Sequence, residues 1–320
     1  MAATQYPVTV LMPVYNGERY LASALESVLG QTFAQFQFLV IDDGSTDGSM
    51  KILRRYARHD VRLKIVSREN RGLVATLNEG LAIAQGEFVA RMDADDISLP
   101  RRLEMQVAHM EAHDDVVCLG GYYQLIDHRG RLLTTMQPPH DHPALEEQLL
   151  AGHTPICHPS AMMRRAVALG AGGYDPKMML AEDLDLWLRL GEIGNLAVLP
   201  APVVQYRLHG KSVSEKAGLR QRDVARSACE QAWKRRGIKG EFGAGESARP
   251  LSDRRSRLKF SLLYGWWAFN SGQRATALSY GMHSVMLAPW DKESMRLLAC
   301  AAIKKLPRPA KTSGKASLGV

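Results

Sequence analysis

Short apolar runs alternate with helical periodicity through the first part of this chain, and that alternation limits the possible folds more than any other feature. Residues 8–14, 36–41, 63–66, 88–92 and 116–121 read as strands. Between the first two, Tyr20, Leu21, Ala24, Leu25, Val28 and Leu29 recur at helical spacing. Ser45-Thr46-Asp47-Gly48 offers caps for a helix reaching Arg58. Asn70-Arg71-Gly72 opens a helix that Gly86 stops, and Pro100 sits at the first position of one running to His113. Strands joined through helices by short connections predict an α/β protein with a doubly wound, mostly parallel sheet. Such sheets bind ligands beyond the carboxyl ends of their strands. Here those ends carry Tyr15-Asn16, Asp42-Asp43 and Asp93-Ala94-Asp95-Asp96, so three clusters are expected to converge on one crevice.

Beyond Tyr122 the pattern loosens. Asp127-His128-Arg129-Gly130 reads as a hairpin turn, 181–190 as a helix with Glu182, Asp183 and Asp185 in its first turn, and 203–208 as a strand. A basic helix at 216–236 and a Gly-rich stretch follow, then helical patterns at 251–270, 275–287 and 292–305 and a polar terminus. The expected organisation is a catalytic domain over 1–212, a basic helical extension over 213–236, a linker over 237–250 and a helical C-terminal region over 251–320.

The net charge of +8 is divided unevenly. Up to Gln205 there are 18 basic and 25 acidic residues, a net −7; from Tyr206 onward there are 23 and 8, a net +15. A basic total would suggest nucleic acid, but the body that carries the crevice is acidic, and no nucleic-acid partner is expected. Charged residues at 23% and aromatics at 7% exclude global disorder. The N-terminus lacks a basic segment and its apolar run is broken at Pro13, unlike a secretory signal. No uncharged apolar stretch approaches the roughly 18 residues of a bilayer span. Cys118, Cys157, Cys229 and Cys300 have no metal-ligand spacing and read as reduced thiols of a cytoplasmic protein.

A single aspartate at a strand end is most simply a turn residue, a helix cap or a partner for Arg91 or Arg101. Two acidic clusters at neighbouring strand ends are different, because like charges gather only at a cost unless a counter-charge joins them. Clustered oxygen ligands suit Mg²⁺ or Mn²⁺ held together with substrate phosphates. Such a metal points to a diphosphate leaving group. Neither a P-loop nor Gly-x-Gly-x-x-Gly follows the first strand, which argues against P-loop NTPases and Rossmann dehydrogenases.

Pro13-Val14-Tyr15-Asn16, the run from Asp42 to Ser49, Asn70-Arg71-Gly72, Asp93-Ala94-Asp95-Asp96 and Glu182-Asp183-Leu184-Asp185-Leu186-Trp187 occur in this order. Together they resemble the inverting family-2 glycosyltransferases of GT-A fold, most of all bacterial enzymes of surface-polysaccharide and O-antigen synthesis. The likeness covers roughly residues 7–210. It implies that Pro13 and Tyr15 flank the nucleotide base and that Asp43 accepts a hydrogen bond from it. Arg71 is implied near the base or phosphates, Asp93 on the ribose side, and Asp95 on the metal. Asp183 is implied as the base that deprotonates the acceptor hydroxyl. His209 takes a position where related enzymes reach the metal or diphosphate; an ordinary strand-end histidine fits it equally well. Glu182 and Asp185 are rivals of Asp183, although adjacent helical residues point about 100° apart, so Glu182 and Asp183 cannot both face the crevice. His158, before Pro159, reads as structural. No Q-x-x-R-W-type motif of processive members is present, so one sugar per acceptor visit is expected, with a UDP-sugar as the default donor.

In the tail, Arg254, Arg255, Arg257 and Lys259 precede an aromatic stretch whose Leu258, Leu262, Trp266 and Phe269 share a helical face. That suits an interfacial helix on an anionic leaflet, but a folded helical hairpin with solvated basic residues is the better expectation. Peripheral contact with the inner face of the cell membrane is a compatible second role. Two other functions remain: a sugar nucleotidyltransferase, which should carry a Gly-rich, Arg-containing loop where Asn16-Gly17-Glu18-Arg19 stands, and a catalytically dead nucleotide- or membrane-binding protein, which should have lost Asp93, Asp95 or Asp183.

Overall fold

A computed structural model of the chain describes residues 6–209, 218–244 and 253–307. Gly210, the start of the expected basic helix, the second half of the expected linker and the polar terminus lie outside the described residues.

The chain opens as the alternation predicts, with β1 (Val8–Val14), α1 (Glu18–Leu29), β2 (Phe36–Asp43), α2 (Ser49–Ala57), β3 (Leu63–Arg68), α3 (Leu73–Ile83) and β4 (Phe88–Arg91). These four strands pair in parallel, in the order β3-β2-β1-β4. Every residue of β1, β2 and β4 is buried, because helices cover both faces, and so the runs are mainly apolar rather than alternating. Val8, Val10, Met12, Phe36, Phe38 and Val40 pack with α1 and α2. Leu11, Leu39, Ile41 and Val89 pack on the opposite face with α3. The latter contact is close: a Cβ on Gly80 of α3 would come within 2.2 Å of a Leu11 methyl carbon.

The parallel run ends at β4. After β5 (Ile97–Ser98), α4 (Arg102–Ala112), β6 (Val116–Asp127), β7 (Leu132–Met136) and α5 (His142–Leu150) comes β8 (Met162–Arg164), which inserts antiparallel between β4 and β6. β8 is only three residues long, too short to show a period in the sequence. Then follow α6 (Arg165–Gly170), α7 (Glu182–Gly191) and β9 (Asn195–Leu208), which continues the sheet beyond β6 and pairs antiparallel with β5. The result is a mixed, mostly parallel sheet wrapped by helices, with a helical C-terminal region.

The backbone divides into two compact units, one of Met1–Tyr123, Pro138–Tyr206 and Arg220–Ala244, the other of Gln124–Gln137, Arg207–Leu219 and Gly245–Val320. The first includes most of α8 (Gly218–Arg236), whose Ala225, Ala228, Cys229 and Ala232 form a buried stripe. Its basic end is compensated: Arg235 and Arg236 pair with Glu192, and Arg236 also with Glu146. Over its described part the Gly-rich stretch packs rather than spans, with Gly243 N–H donating to Ala151 O at 2.9 Å and the Phe242 ring against Gly152.

The second unit joins the β6–β7 hairpin to α9 (Arg254–Asn270), α10 (Arg274–Leu287) and α11 (Lys292–Ile303). The expected turn is present, with Gly130 at φ +81°. Asp127 is its centre: it accepts from the Arg129 and Arg131 backbone N–H groups, pairs with the Arg131 guanidinium at 2.7 Å, and accepts from the Tyr280 hydroxyl at 2.9 Å. The buried residues of α9 are Phe260, Ser261, Gly265, Ala268 and Phe269. Of the face expected from sequence, Phe269 is buried while Leu258, Leu262 and Trp266 are half-buried, and Tyr264 stacks against Trp267 and lies edge-on to Tyr280. The folded hairpin is therefore what these residues form.

Candidate active site

At the carboxyl edge of the sheet the loops after β1 and β2 hold each other. Asn16 N–H donates to Ser45 Oγ at 3.0 Å, Gly17 N–H to Ser49 Oγ at 2.9 Å and Glu18 N–H to Asp47 Oδ2 at 3.0 Å. In return, the Asn16 carboxamide accepts from Thr46 N–H and the Glu18 carboxylate from Gly48 N–H. The run Ser45 to Ser49 therefore does more than cap α2, whose N-terminal Gly48 has no capping side chain. Above this lock stands Tyr15, 56% exposed. Pro13 lies in β1 beyond its register with β4, which stops at Leu11 opposite Arg91. Leu11 O accepts from Met92 N–H, so Pro13, two residues on, faces the side where β4 has ended, and its missing N–H leaves no ladder bond unmade.

Asp43, buried at the end of β2, organises the next loop. Its carboxylate accepts from Arg71 N–H at 2.8 Å and Gly72 N–H at 3.0 Å and pairs with the Arg68 guanidinium. A carboxylate offers about four lone-pair sites, so one acceptor position remains. Gly72 sits at φ +87°, which lets the chain turn into α3. The Arg71 side chain is exposed.

The loop after β4 gathers the acids. Oxygens of Asp93, Asp95 and Asp96 all lie within 4.8 Å of one another. Beneath them is Arg91, the last residue of β4 and almost fully buried, in an ion pair with Asp93. Burial works against the Arg91 charge, but Asp93 keeps the guanidinium protonated well above its ordinary range. Burial likewise raises the Asp93 carboxyl above its usual value, with Arg91 opposing. A second buried cation, Arg102, braces the strand by donating to Arg91 O at 2.8 Å and Ala161 O at 3.2 Å; burial and then Arg91 pull it down to about 9. The Arg91 Nε atom is buried without a hydrogen-bond partner among the described residues.

The fourth acid comes from the other side. Leu180 adopts φ +93°, a region costly for a bulky side chain, and its N–H donates to the Glu182 carboxylate at 2.7 Å. This turn sets the start of α7 and divides the acids of its first turn. Glu182 bends back to the turn. Asp185 is buried and paired with Arg189 at 2.6 Å, and Arg189 is itself anchored to the Ala171 and Gly173 carbonyls. Asp183 alone of the three keeps its carboxylate clear of a cationic ion-pair partner while remaining partly exposed. Burial raises its carboxyl to about 7, with Glu182 adding to the effect and Arg91 opposing it. Arg91 acts on both Asp93 and Asp183, and Glu182 on Asp93, so the β4 loop and the start of α7 lie within electrostatic reach of one another. One turn on from Asp183, Trp187 is fully buried, donates from its indole N–H to Ile156 O at 3.2 Å and packs edge-on to His158. His158 shares a 2.9 Å hydrogen bond with the Tyr174 hydroxyl, and burial followed by Arg91 keeps it neutral, well below its ordinary pKa. His209 follows β9 and belongs to the second unit.

Of the two partners expected for a strand-end aspartate, Arg91 pairs with Asp93, whereas Arg101 pairs with Glu104. One contributor, Leu180, was not singled out from sequence. It had no signal there, since its φ follows from packing on both sides.

The family model for glycosyl transferase family 2 matches residues 9–171. A putative glycosyltransferase of Bacillus subtilis, EpsE, is 38% identical over 195 residues, covering 58% of this chain and 67% of the relative. The O-antigen biosynthesis glycosyltransferase WbnJ of Escherichia coli is 31% identical over 235 residues, covering 72% and 91%. Among solved structures, Staphylococcus aureus TarS in complex with UDP-GlcNAc superposes with a TM-score of 0.55 at 17% identity, covering 92% of this chain and 79% of that one. The mannosyltransferase PcManGT of Pyrobaculum calidifontis, in complex with GDP-Man and Mn²⁺, gives 0.51 at 20% identity with the same coverage. The mixed sheet is thus the GT-A fold. With its acidic loops at the carboxyl edge and relatives alike through most of their length, the chain belongs to glycosyl transferase family 2 and is a glycosyltransferase.

Proposed function

We propose that this enzyme is an inverting, divalent-metal-dependent transferase that moves one sugar from a nucleotide-diphosphate donor, by default a UDP-sugar, to a hydroxyl of a saccharide or lipid-linked acceptor in cell-surface polysaccharide biosynthesis. The observation that carries the proposal is the set of acids around Arg91: three carboxylates within 4.8 Å of one another, and Asp183, which also feels the Arg91 charge and has its carboxyl raised to about 7. A general base is most effective when its pKa lies near the working pH.

Asp93, Asp95 and Asp96 present hard oxygen donors, which fit Mg²⁺ or Mn²⁺. Asp95 is assigned to hold the ion, within the cluster it forms with Asp93 and Asp96. A bound cation supplies neutralisation of the charge that develops on the departing diphosphate. The remaining steps belong to the protein. Tyr15 and Pro13 flank the base, Asp43 uses its remaining acceptor position on a base N–H, Arg71 meets the base or phosphates, and Asp93 contacts the ribose side. Asp183 takes the proton of the acceptor hydroxyl while that oxygen bonds to the anomeric carbon and the bond to the diphosphate oxygen breaks on the opposite face, inverting the centre. Ligands held by neighbours of the same fold, UDP-GlcNAc in one and GDP-Man with Mn²⁺ in another, support a nucleotide-sugar donor. The names of WbnJ and of the amylovoran biosynthesis enzyme AmsE support the polysaccharide setting.

In this proposal residues 1–212 carry the chemistry, the basic extension at 213–236 and the stretch at 237–250 follow them, and the basic helices within 251–320 hold a cytoplasmic enzyme against the inner face of the membrane, near its acceptors. No described helix is long and apolar enough to cross a membrane. The test is Asp183→Asn. The variant is expected to keep its thermal shift with a matching nucleotide among UDP, GDP, dTDP and CMP plus Mn²⁺, and to lose transfer by about 10²–10⁴-fold. Near-wild-type transfer would show that another group is the base.

A further inference from the structure

The packing of α9 leaves a different apolar surface in the second unit. Met282 and Met286 lie one turn apart on α10, and Met295 and Ile303 lie two turns apart on α11; all four are exposed, with Met286 at 71% and Ile303 at 84%. Trp290, in the turn between the two helices, is 90% exposed. The two stripes share one side of the hairpin. Gly281 of α10 faces Leu298 of α11, where an added Cβ would stand 3.0 Å from the Leu298 Cα. Met282 and Met286 lie about 100–140° round α10 from that contact, and Met295 and Ile303 about 60–140° round α11 in the same sense, at 100° per residue. In antiparallel helices the same sense of rotation brings both stripes to the same side. Contiguous exposed apolar surface of this kind marks an interaction site.

Its charged surroundings indicate the partner. Lys292 lies on the α11 stripe, and Lys304 and Lys305, both exposed, follow Ile303. At the other end Arg254 donates to Leu287 O at 2.7 Å, which brings the basic start of α9 beside the Trp290 turn. From Asp253 to Pro307 there are nine Lys and Arg against three Asp and Glu. A tryptophan and flexible methionines ringed by cations suit an anionic lipid surface, where apolar groups enter the headgroup boundary and cations meet phosphates.

We infer that Met282, Met286, Trp290, Met295 and Ile303 form the face by which the enzyme seats on an anionic bilayer. This deepens the membrane part of the proposed function and rests on it, assigning contact to the α10–α11 hairpin rather than to the aromatic face of α9. The test is sedimentation of the full chain with vesicles of phosphatidylcholine alone and of phosphatidylcholine with phosphatidylglycerol in equal parts. The wild-type chain is expected to sediment with the anionic vesicles and far less with the neutral ones. The double variant Met286→Ser/Trp290→Ser is expected to bind them about tenfold more weakly, and Lys292→Glu to weaken binding more at low salt than at high salt. Donor turnover in solution, measured in parallel, is expected to stay at the wild-type level, which separates this inference from the transferase chemistry. Quenching by brominated lipid that is lost in Trp290→Phe gives a second readout. Equal sedimentation of wild type and double variant would overturn the inference. So would lipid-independent self-association abolished by the double variant, which would make the face a contact between protein copies.

Discussion

Asp93 and Asp183 both feel the charge of Arg91, and burial raises both carboxyls, but their contacts differ. Asp93 has the guanidinium as an ion-pair partner, whereas Asp183 has Glu182 beside it and no cation in contact among the described residues. For Asp183 the folded state holds its proton from the ordinary carboxylate range up to about 7. In the proposed mechanism the base acts in its deprotonated form, so kcat/KM should rise with pH through a limb near 7. Its ionisation is also unfavourable to the fold, so stability contributed by the protonated form declines as pH rises through that value. Glu182→Gln keeps an acceptor for Leu180 N–H but removes a neighbouring negative charge, and should move the acid limb to lower pH; a limb that stays in place would remove Glu182 from the account. The acids themselves were legible in the sequence as clusters at strand ends, because charge does not gather there without cause. The division of labour among Glu182, Asp183 and Asp185 was legible in part. Asp185 and Arg189 stand four apart, the spacing of a helical ion pair, but the return of Glu182 to Leu180 depends on a backbone angle that no pattern encodes.

The strands that position the site were legible for a physical reason. β1, β2 and β4 are covered on both faces, so each is a mainly apolar run bounded by polar residues, with Thr9 and Gln37 buried inside β1 and β2 and bonded to each other. β5 and β8, with two and three residues, are fixed by pairing with distant strands rather than by their own composition. The aromatic face of α9 shows the opposite limit. Its periodicity marked a surface to be covered, and only the fold decides whether protein or lipid covers it. At the start of α7 the strain at Leu180 holds Asp183 in position. Leu180→Gly would relieve a cost of about 1–3 kcal/mol, partly offset by the greater freedom of glycine in the unfolded chain. It should leave the melting temperature unchanged or higher while lowering transfer by about tenfold or more, since small misplacements of a catalytic group are costly. A fall in stability with undiminished transfer would contradict the role given to this turn.

Across the whole molecule, the proposed function gives the two sides of the charge division read from sequence different tasks. The acidic excess of the body includes the acids of the crevice, while part of the basic excess is spent on internal pairs: Arg235 and Arg236 with Glu192, and Arg236 with Glu146. What remains on the helices after Asp253 is the charge available to an anionic surface. The central claim concerns the acids, and it is tested most directly by release of nucleoside diphosphate from a panel of nucleotide sugars, with Mn²⁺ and with a chelator, for the wild type and Asp95→Ala. Turnover of one nucleotide sugar that requires the metal and falls by about 10² or more in Asp95→Ala is the predicted result. Equal turnover in the chelator, or undiminished turnover by Asp95→Ala, would contradict it.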